Sequence, residues 1–168
     1  NLVIIVNSRK FTPLEKVSVL ISKVHRIDRT SINPEIKSLN YENNILACFE
    51  AKNKNFDDAI LLNEKNIITE ATTSNLFIVK NEKLYTPSLE SEILEGTIRN
   101  AIIKNFPVIE KELSVNDLLT AEEAFLSGSV NLISCIWRVN DKKFNKFEHA
   151  EKVFNKLMEL TKKGTLLK

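Results

Sequence analysis

Residues 67–87 read IITEATTSNLFIVKNEKLYTP, and the arrangement of the chain follows from this stretch. Positions 75–80 alternate loosely and are rich in β-branched and apolar residues, 81–83 form a turn, and 84–86 resume a strand before Pro87 stops it. The pattern predicts a hairpin. Just upstream stand Glu70 and then Thr72, Thr73 and Ser74, small hydroxyl residues that suit a backbone making close polar contacts. An acid, small polar residues and then a buried strand mark a ligand edge, although Thr/Ser clusters also cap and turn chains for local reasons.

Upstream of the hairpin, strands are expected at 59–62 and 67–69 with a turn at 63–66. Residues 2–6, LVIIV, read as a buried-type strand and 8–13 as a turn. The apolar positions of 14–24 do not separate helix from strand, and the Val/Ile/Ser content of the second half leans towards strand. An irregular break at 30–34 precedes a helix from 39 to about 52, with Ala47 and Ala51 as helix formers. Downstream come a loop at 88–92, a helix at 97–105, a strand at 106–111 and a short helix opened by a capping pattern at Ser114. Strands at 123–127 and 131–139 follow, then a turn at 140–143. The amphipathic helix at 147–162 carries Ala150, Val153, Phe154, Leu157, Met158 and Leu160. The order is mixed and strand-rich, with three or four helices and no clean βαβα alternation.

At 168 residues with 43% hydrophobic and 27% charged, the chain has the composition of an ordinary globular domain. Its net charge of +2 is spread along the sequence, with no aromatic-basic interleaving, so nucleic acid is not an expected partner. No apolar run reaches the eighteen or so residues of a membrane span and no secretion signal opens the chain, so the expectation is a cytoplasmic protein. Cys48 and Cys135 stand far apart without disulfide or zinc spacing, and no metal site is expected. There are only three glycines, and Gly96 and Gly128 are expected where no other residue fits. The chain begins at Asn1 in an apolar strand, which suggests a fragment or a processed chain.

Phosphate loops, nucleophile elbows and zinc-helix motifs are missing, and His25 and His149 read as surface or half-buried residues. What remains is a spaced set: Lys37 ahead of a helix, Glu70 at a strand end, Thr97 after Gly96 at a helix start, and Ser129 after Gly128 at a strand end. One polar group per supersecondary unit can converge on a single pocket.

Four segments carry a resemblance: IKSLNY at 36–41, TEATTSNLF at 69–77, YTP at 85–87 with ILEGTIR at 93–99, and AEEAFLSGS at 121–129. In order and spacing they resemble the fold-type IV pyridoxal-phosphate enzymes, which include branched-chain and D-amino acid aminotransferases and 4-amino-4-deoxychorismate lyase. The resemblance covers about residues 1–140. It implies a mixed α/β (α+β) fold, a strand-rich pseudo-barrel flanked by helices. It also implies one domain over 1–168 that matches the family's large C-terminal domain, with the preceding small domain absent.

The resemblance implies pyridoxal 5′-phosphate as cofactor and assigns roles. Lys37 matches the lysine that bonds the cofactor aldehyde and shuttles the Cα proton, work that an amine can do. Glu70 matches the acid facing the pyridine nitrogen, which keeps the ring protonated as an electron sink. Thr97 and Ile98 match one part of the phosphate cup, and Gly128 and Ser129 the other. Members often carry Thr where Ile98 stands, so its backbone amide must serve. Arg99 matches a recurrent arginine and reads as structural. Ala71 stands where Gly is usual, Gly128 where the lyases tend to have Asn, and Cys135 in place of a proline.

The phrasing of KSLNY, of TPSLE at 86–90 and of FLSGSV at 125–130 is most similar to aminodeoxychorismate lyases, which implies release of pyruvate from aminodeoxychorismate to leave 4-aminobenzoate for folate. The alternative is a D-amino acid or branched-chain aminotransferase, which uses the same residues. A third reading, from a different class, is a truncated relative that folds and binds cofactor without turnover. The family builds its sites near a dimer interface, which implies a homodimer acting on a small-molecule amino acid or aminodeoxychorismate.

Overall fold

A computed structural model of the chain describes residues 11–27, 30–33 and 36–166. The elements in order are β1 (Glu15–Ile21), α1 (Glu42–Asn53), β2 (Asp58–Leu62), β3 (Ile67–Ala71), β4 (Asn75–Lys80), β5 (Lys83–Pro87), α2 (Thr97–Asn105), β6 (Val108–Lys111), β7 (Leu113–Ser114), α3 (Val115–Leu119), β8 (Glu123–Gly128), β9 (Leu132–Val139), β10 (Lys142–Lys143) and α4 (Glu148–Lys162). Their strands form one ten-stranded sheet in the order β6, β5, β4, β8, β9, β1, β2, β3, β7, with β10 paired to β9. Pairing is mixed: β1 runs parallel to both β2 and β9, and β5 parallel to β6, while the others are antiparallel. The sheet curls until β3 meets β4 and β5, producing the expected pseudo-barrel.

The curl follows from how the strands bury their side chains. Along β4, Leu76 and Ile78 point into the barrel, where they join Ile60, Ile68, Ala124, Leu126 and Ile136. Phe77 and Val79 point the other way, into a second layer with Phe125, Ile102, Val153 and Leu157 from β8, α2 and α4. Successive residues of a strand face opposite sides, so a strand covered on both reads as a continuous apolar run rather than an alternation. A third cluster, Leu20, Ala59 and Leu61 under Ala47 and Ala51, holds α1 against β1 and β2.

Several boundaries differ from expectation. β3 continues through Glu70 to Ala71, so Glu70 lies inside a strand and not beyond its end. The hairpin turn contains Asn81 and Glu82, at φ of 51° and 59°. Consecutive left-handed residues match the twist of the flanking strands, which tightens the predicted three-residue turn. Pro87 belongs to β5, opposite Lys111 of the parallel neighbour β6. The 14–24 ambiguity resolves as strand β1, and α1 starts at Glu42 with Tyr41 as its N-cap. The expected strand at 2–6 lies outside the described residues.

Two helix starts are capped from the side. Ser114 Oγ accepts from Asp117 N–H at 3.1 Å while the Asp117 carboxylate accepts from Ser114 N–H at 3.0 Å, a capping box for α3. At α4, the buried Glu123 carboxylate accepts from the backbone N–H of His149 and Ala150 at 3.0 and 2.6 Å. Among the described residues no helix is long and apolar enough to cross a membrane.

Candidate active site

The end of the barrel where β3 turns into β4 and β8 turns into β9 opens as a cleft of ≈ 280 Å³. Its walls are the 37–41 approach to α1, Glu70 of β3, the 73–75 turn, the 94–98 entry into α2, and residues 127–129. All six residues singled out in the sequence, Lys37, Glu70, Thr97, Ile98, Gly128 and Ser129, line this one cleft.

Glu70 is the most constrained of them. Its side chain is buried, with Oε1 3.0 Å from Arg26 Nη2, and its Oε2 accepts from Asn75 Nδ2 at 3.2 Å and from Leu94 N–H at 3.1 Å. Burial nevertheless pushes its pKa up to about 7, against the opposing pull of the Arg26 guanidinium and the Leu94 amide. The arginine is itself fixed by Asn44 Oδ1 at 3.1 Å and by the Glu92 carbonyl at 3.3 Å. Asn44 Nδ2 and the Tyr41 hydroxyl then donate to the Thr72 carbonyl at 2.8 and 2.9 Å, tying α1 to the β3–β4 turn.

Beside Glu70, Tyr41 lines the cleft between the Lys37 segment and the sheet. Its pKa is raised by burial first and by the nearby Glu70 charge second. Lys37 is exposed at the mouth, where it also borders a smaller cavity of ≈ 90 Å³ lined by Arg26, Tyr41 and Glu70. On the far side of the turn, Asp58 accepts from Thr72 Oγ1 at 2.6 Å and from Thr72 N–H at 3.3 Å, and burial raises its pKa.

The opposite wall is a set of donors. Gly96 caps α2, so the first N–H groups of the helix face the cleft side, and the helix dipole adds partial positive charge there. Ile98 buries its side chain in the second core layer, which leaves its backbone as the part able to serve a ligand. Ser127 lines the same wall, and its buried Oγ has no hydrogen-bond partner among the described residues. Neither glycine is dictated by φ. A Cβ at Gly96 would run into Asn75 Oδ1, so the close approach of the two segments requires glycine there, whereas one at Gly128 would stand 3.1 Å from Ser74 Oγ, a tight contact that a small shift of the hydroxyl relieves.

These residues fit a molecule that carries an anion, a protonated ring nitrogen and a carbonyl group. An orphaned hydroxyl with helix amides suits the anion, a buried carboxylate suits the nitrogen, and an amine at the mouth suits the carbonyl. Sequence reasoning missed Arg26, Tyr41, Asn44, Asn75 and Ser127 as site residues. Tyr41, Asn75 and Ser127 stood inside the quoted segments, but Arg26, in the loop after β1, gave no local signal because its partner Glu70 is far along the chain on β3.

The family model for class IV amino-transferases matches residues 1–139, and the chain belongs to this family. It is 34% identical to a putative branched-chain-amino-acid aminotransferase of Methanocaldococcus jannaschii over 148 residues, 85% of this chain and 51% of the relative. It is 36% identical to an aminodeoxychorismate lyase of Bacillus subtilis over 123 residues, 70% of this chain and 41% of the relative. Among solved structures, the branched-chain aminotransferase of Thermoproteus uzoniensis with norvaline superposes with a TM-score of 0.85 at 27% identity, covering 93% of this chain and 57% of that one. The same fold, at a TM-score of 0.80 and 24% identity over 85% of this chain and 50% of the other, is seen in the branched-chain amino acid aminotransferase of T.th. with pyridoxamine 5′-phosphate. The chain therefore spans about half the length of the relatives it matches.

Proposed function

We propose that the chain is the cofactor-binding part of a pyridoxal-phosphate enzyme that acts on the amino group of a small amino acid, with branched-chain transamination as the first reading. The observation that carries it is the convergence of Lys37, Glu70 and the donor wall of Thr97, Ile98, Ser127, Gly128 and Ser129 on one cleft. The cofactor supplies the electron sink for the carbanion left when the Cα proton departs. Lys37 would hold the cofactor through its amine and would take and return the Cα proton at its Nζ. Glu70 would accept the ring N–H, and Arg26 offsets part of the burial that raises its pKa. The amides of Thr97 and Ile98, with Gly128 and Ser129, would hold the phosphate.

A branched-chain substrate is supported by the identity to the M. jannaschii relative over most of this chain. Aminodeoxychorismate lyase is the second reading, supported by 36% identity to the B. subtilis enzyme and by the wording of 86–90 and 125–130. Both use the same cleft residues, and two chains would pair beside it. A part of the family fold that binds cofactor without turnover is the reading left if both fail; its motivation is that the chain spans about half the length of its relatives.

Purified chain loaded with pyridoxal 5′-phosphate is incubated with leucine, isoleucine or valine plus 2-oxoglutarate, and separately with aminodeoxychorismate. Glutamate formation supports transamination, and pyruvate with 4-aminobenzoate supports the lyase. Cofactor binding without either product leaves the binding-only reading, and absence of binding overturns the proposal.

A further inference from the structure

The two carboxylate oxygens of Glu70 have different surroundings. Oε2 accepts from Asn75 Nδ2 at 3.2 Å and from Leu94 N–H at 3.1 Å, which fills both of its lone pairs. Oε1 has Arg26 Nη2 at 3.0 Å as its partner among the described residues and keeps one acceptor position open. The guanidinium is anchored at its other nitrogens as well: Nη1 donates to Asn44 Oδ1 at 3.1 Å and Nε to the Glu92 carbonyl at 3.3 Å. A planar fork held at three points fixes the place of the oxygen it grips.

We propose that Arg26 is a positioning residue for the cofactor: the ring nitrogen and the guanidinium meet on Oε1 of Glu70, and Arg26 keeps that oxygen anionic so that the proton stays on the ring. This rests on the assignment of Glu70 to the ring nitrogen made above, and it adds the oxygen used and the group that governs it. A carboxyl as buried as Glu70 tends to keep its own proton. Burial lifts it to about 7, and Arg26 is the strongest pull in the other direction. A neutral carboxyl would donate to the ring nitrogen instead of accepting from it, leaving the ring a poorer electron sink. The other charged and titratable groups around Glu70 are engaged elsewhere or stand at the mouth. Arg99 of α2 donates to Glu110 Oε2 at 2.6 Å and to the Pro87 carbonyl at 2.9 Å. Tyr41 donates to the Thr72 carbonyl, Glu95 accepts from Asn100 Nδ2 at 2.9 Å, and Lys37 is exposed. Arg26 is thus the cation in contact with the carboxylate among the described residues.

Pyridoxamine 5′-phosphate, isotopically labelled at the ring nitrogen, forms no covalent bond with Lys37, and nitrogen NMR of its complex with the purified chain shows where the proton lies. At pH 8 the bound ring nitrogen of the wild type is expected to be protonated. In Arg26→Gln the protonated fraction should fall severalfold, and Arg26→Lys, which keeps the charge, should recover part of it. A role confined to holding the fold would weaken binding in Arg26→Gln without moving the proton. Asn44→Ala is the milder variant, since it frees Nη1 and leaves the charge in place, and should shift the same signal in the same direction by less. A crystal structure of the wild-type complex should place the ring nitrogen about 2.8 Å from Oε1, with Asn75 and Leu94 still on Oε2. A ring nitrogen that is unprotonated in the wild type, equally protonated in wild type and variants, or seated on Oε2 would overturn the proposal. If the wild type fails to bind pyridoxamine 5′-phosphate at all, the cofactor reading itself falls, and this inference with it.

Discussion

Arg26 and Glu70 form a buried ion pair, Nη2 to Oε1 at 3.0 Å, with side chains only 9% and 7% exposed. The pair joins the segment before α1 to the middle of β3, and Asn44, Asn75, Leu94 and Glu92 complete its hydrogen bonding. Removing one partner of such a pair leaves a desolvated charge, which costs far more than the intact pair contributes. Arg26→Ala is therefore expected to destabilise the fold by about 3 to 5 kcal/mol at pH 8, where Glu70 would be ionised. At pH 5 the carboxyl carries its proton and the loss should be visibly smaller. Urea denaturation at the two pH values measures the difference, and equal losses at both would show that Arg26 acts by packing alone.

The wild-type pH dependence follows from the same carboxyl. Folded Glu70 keeps its proton up to about pH 7, whereas the ordinary value is 4.5. Between those limits the native chain binds more protons than the unfolded one, so this group's contribution to stability falls as pH rises through the window and is largest below it. The slope from this group is at most about 1.4 kcal/mol per pH unit. Glu70→Gln, which cannot titrate, should flatten the decline between pH 5 and 7; parallel wild-type and variant curves would contradict it.

Lys37, to which the proposal gives the chemistry, offers the opposite case of a residue with no structural burden. It is exposed, and surface substitutions of this kind usually change stability by less than about 0.5 kcal/mol. Lys37→Ala should leave the melting temperature unchanged while abolishing the near-visible absorbance that appears when pyridoxal 5′-phosphate is added. A variant that keeps the same band would place the reactive amine elsewhere.

Much of this was legible in the sequence because the signals were local. The hairpin, α2 and α4 follow from apolar periodicity and turn residues within a few positions of each other, and α2 occupies Thr97–Asn105 as expected. The six cleft residues were legible through the wording of the motifs around them. Arg26 was not, because its role is set by Glu70 on a strand 44 residues later in the chain and 3.0 Å away in space. The expected end of β3 at position 69 fell short for a related reason: pairing of Ile60 with Ala71 carries the strand through Glu70 up to the hydroxyl cluster, and periodicity cannot see a partner strand.

Gly96 tests how closely the two walls must approach. A methyl group there would meet Asn75 Oδ1, and Asn75 cannot swing away without giving up its bonds to Glu70 and to the Leu94 carbonyl at 2.8 Å. Gly96→Ala should therefore cost about 1 to 3 kcal/mol through displacement of a buried amide. The same displacement moves the start of α2, part of the donor wall, out of line with the cleft, so affinity for pyridoxal 5′-phosphate should fall together with stability. Asn75→Ala in the Gly96→Ala background separates the two effects. It removes the clash and with it a hydrogen bond to Glu70, so packing should recover while the carboxylate stays less well held. If the double variant is no more stable than Gly96→Ala alone, contact with Asn75 is not what requires glycine at this position.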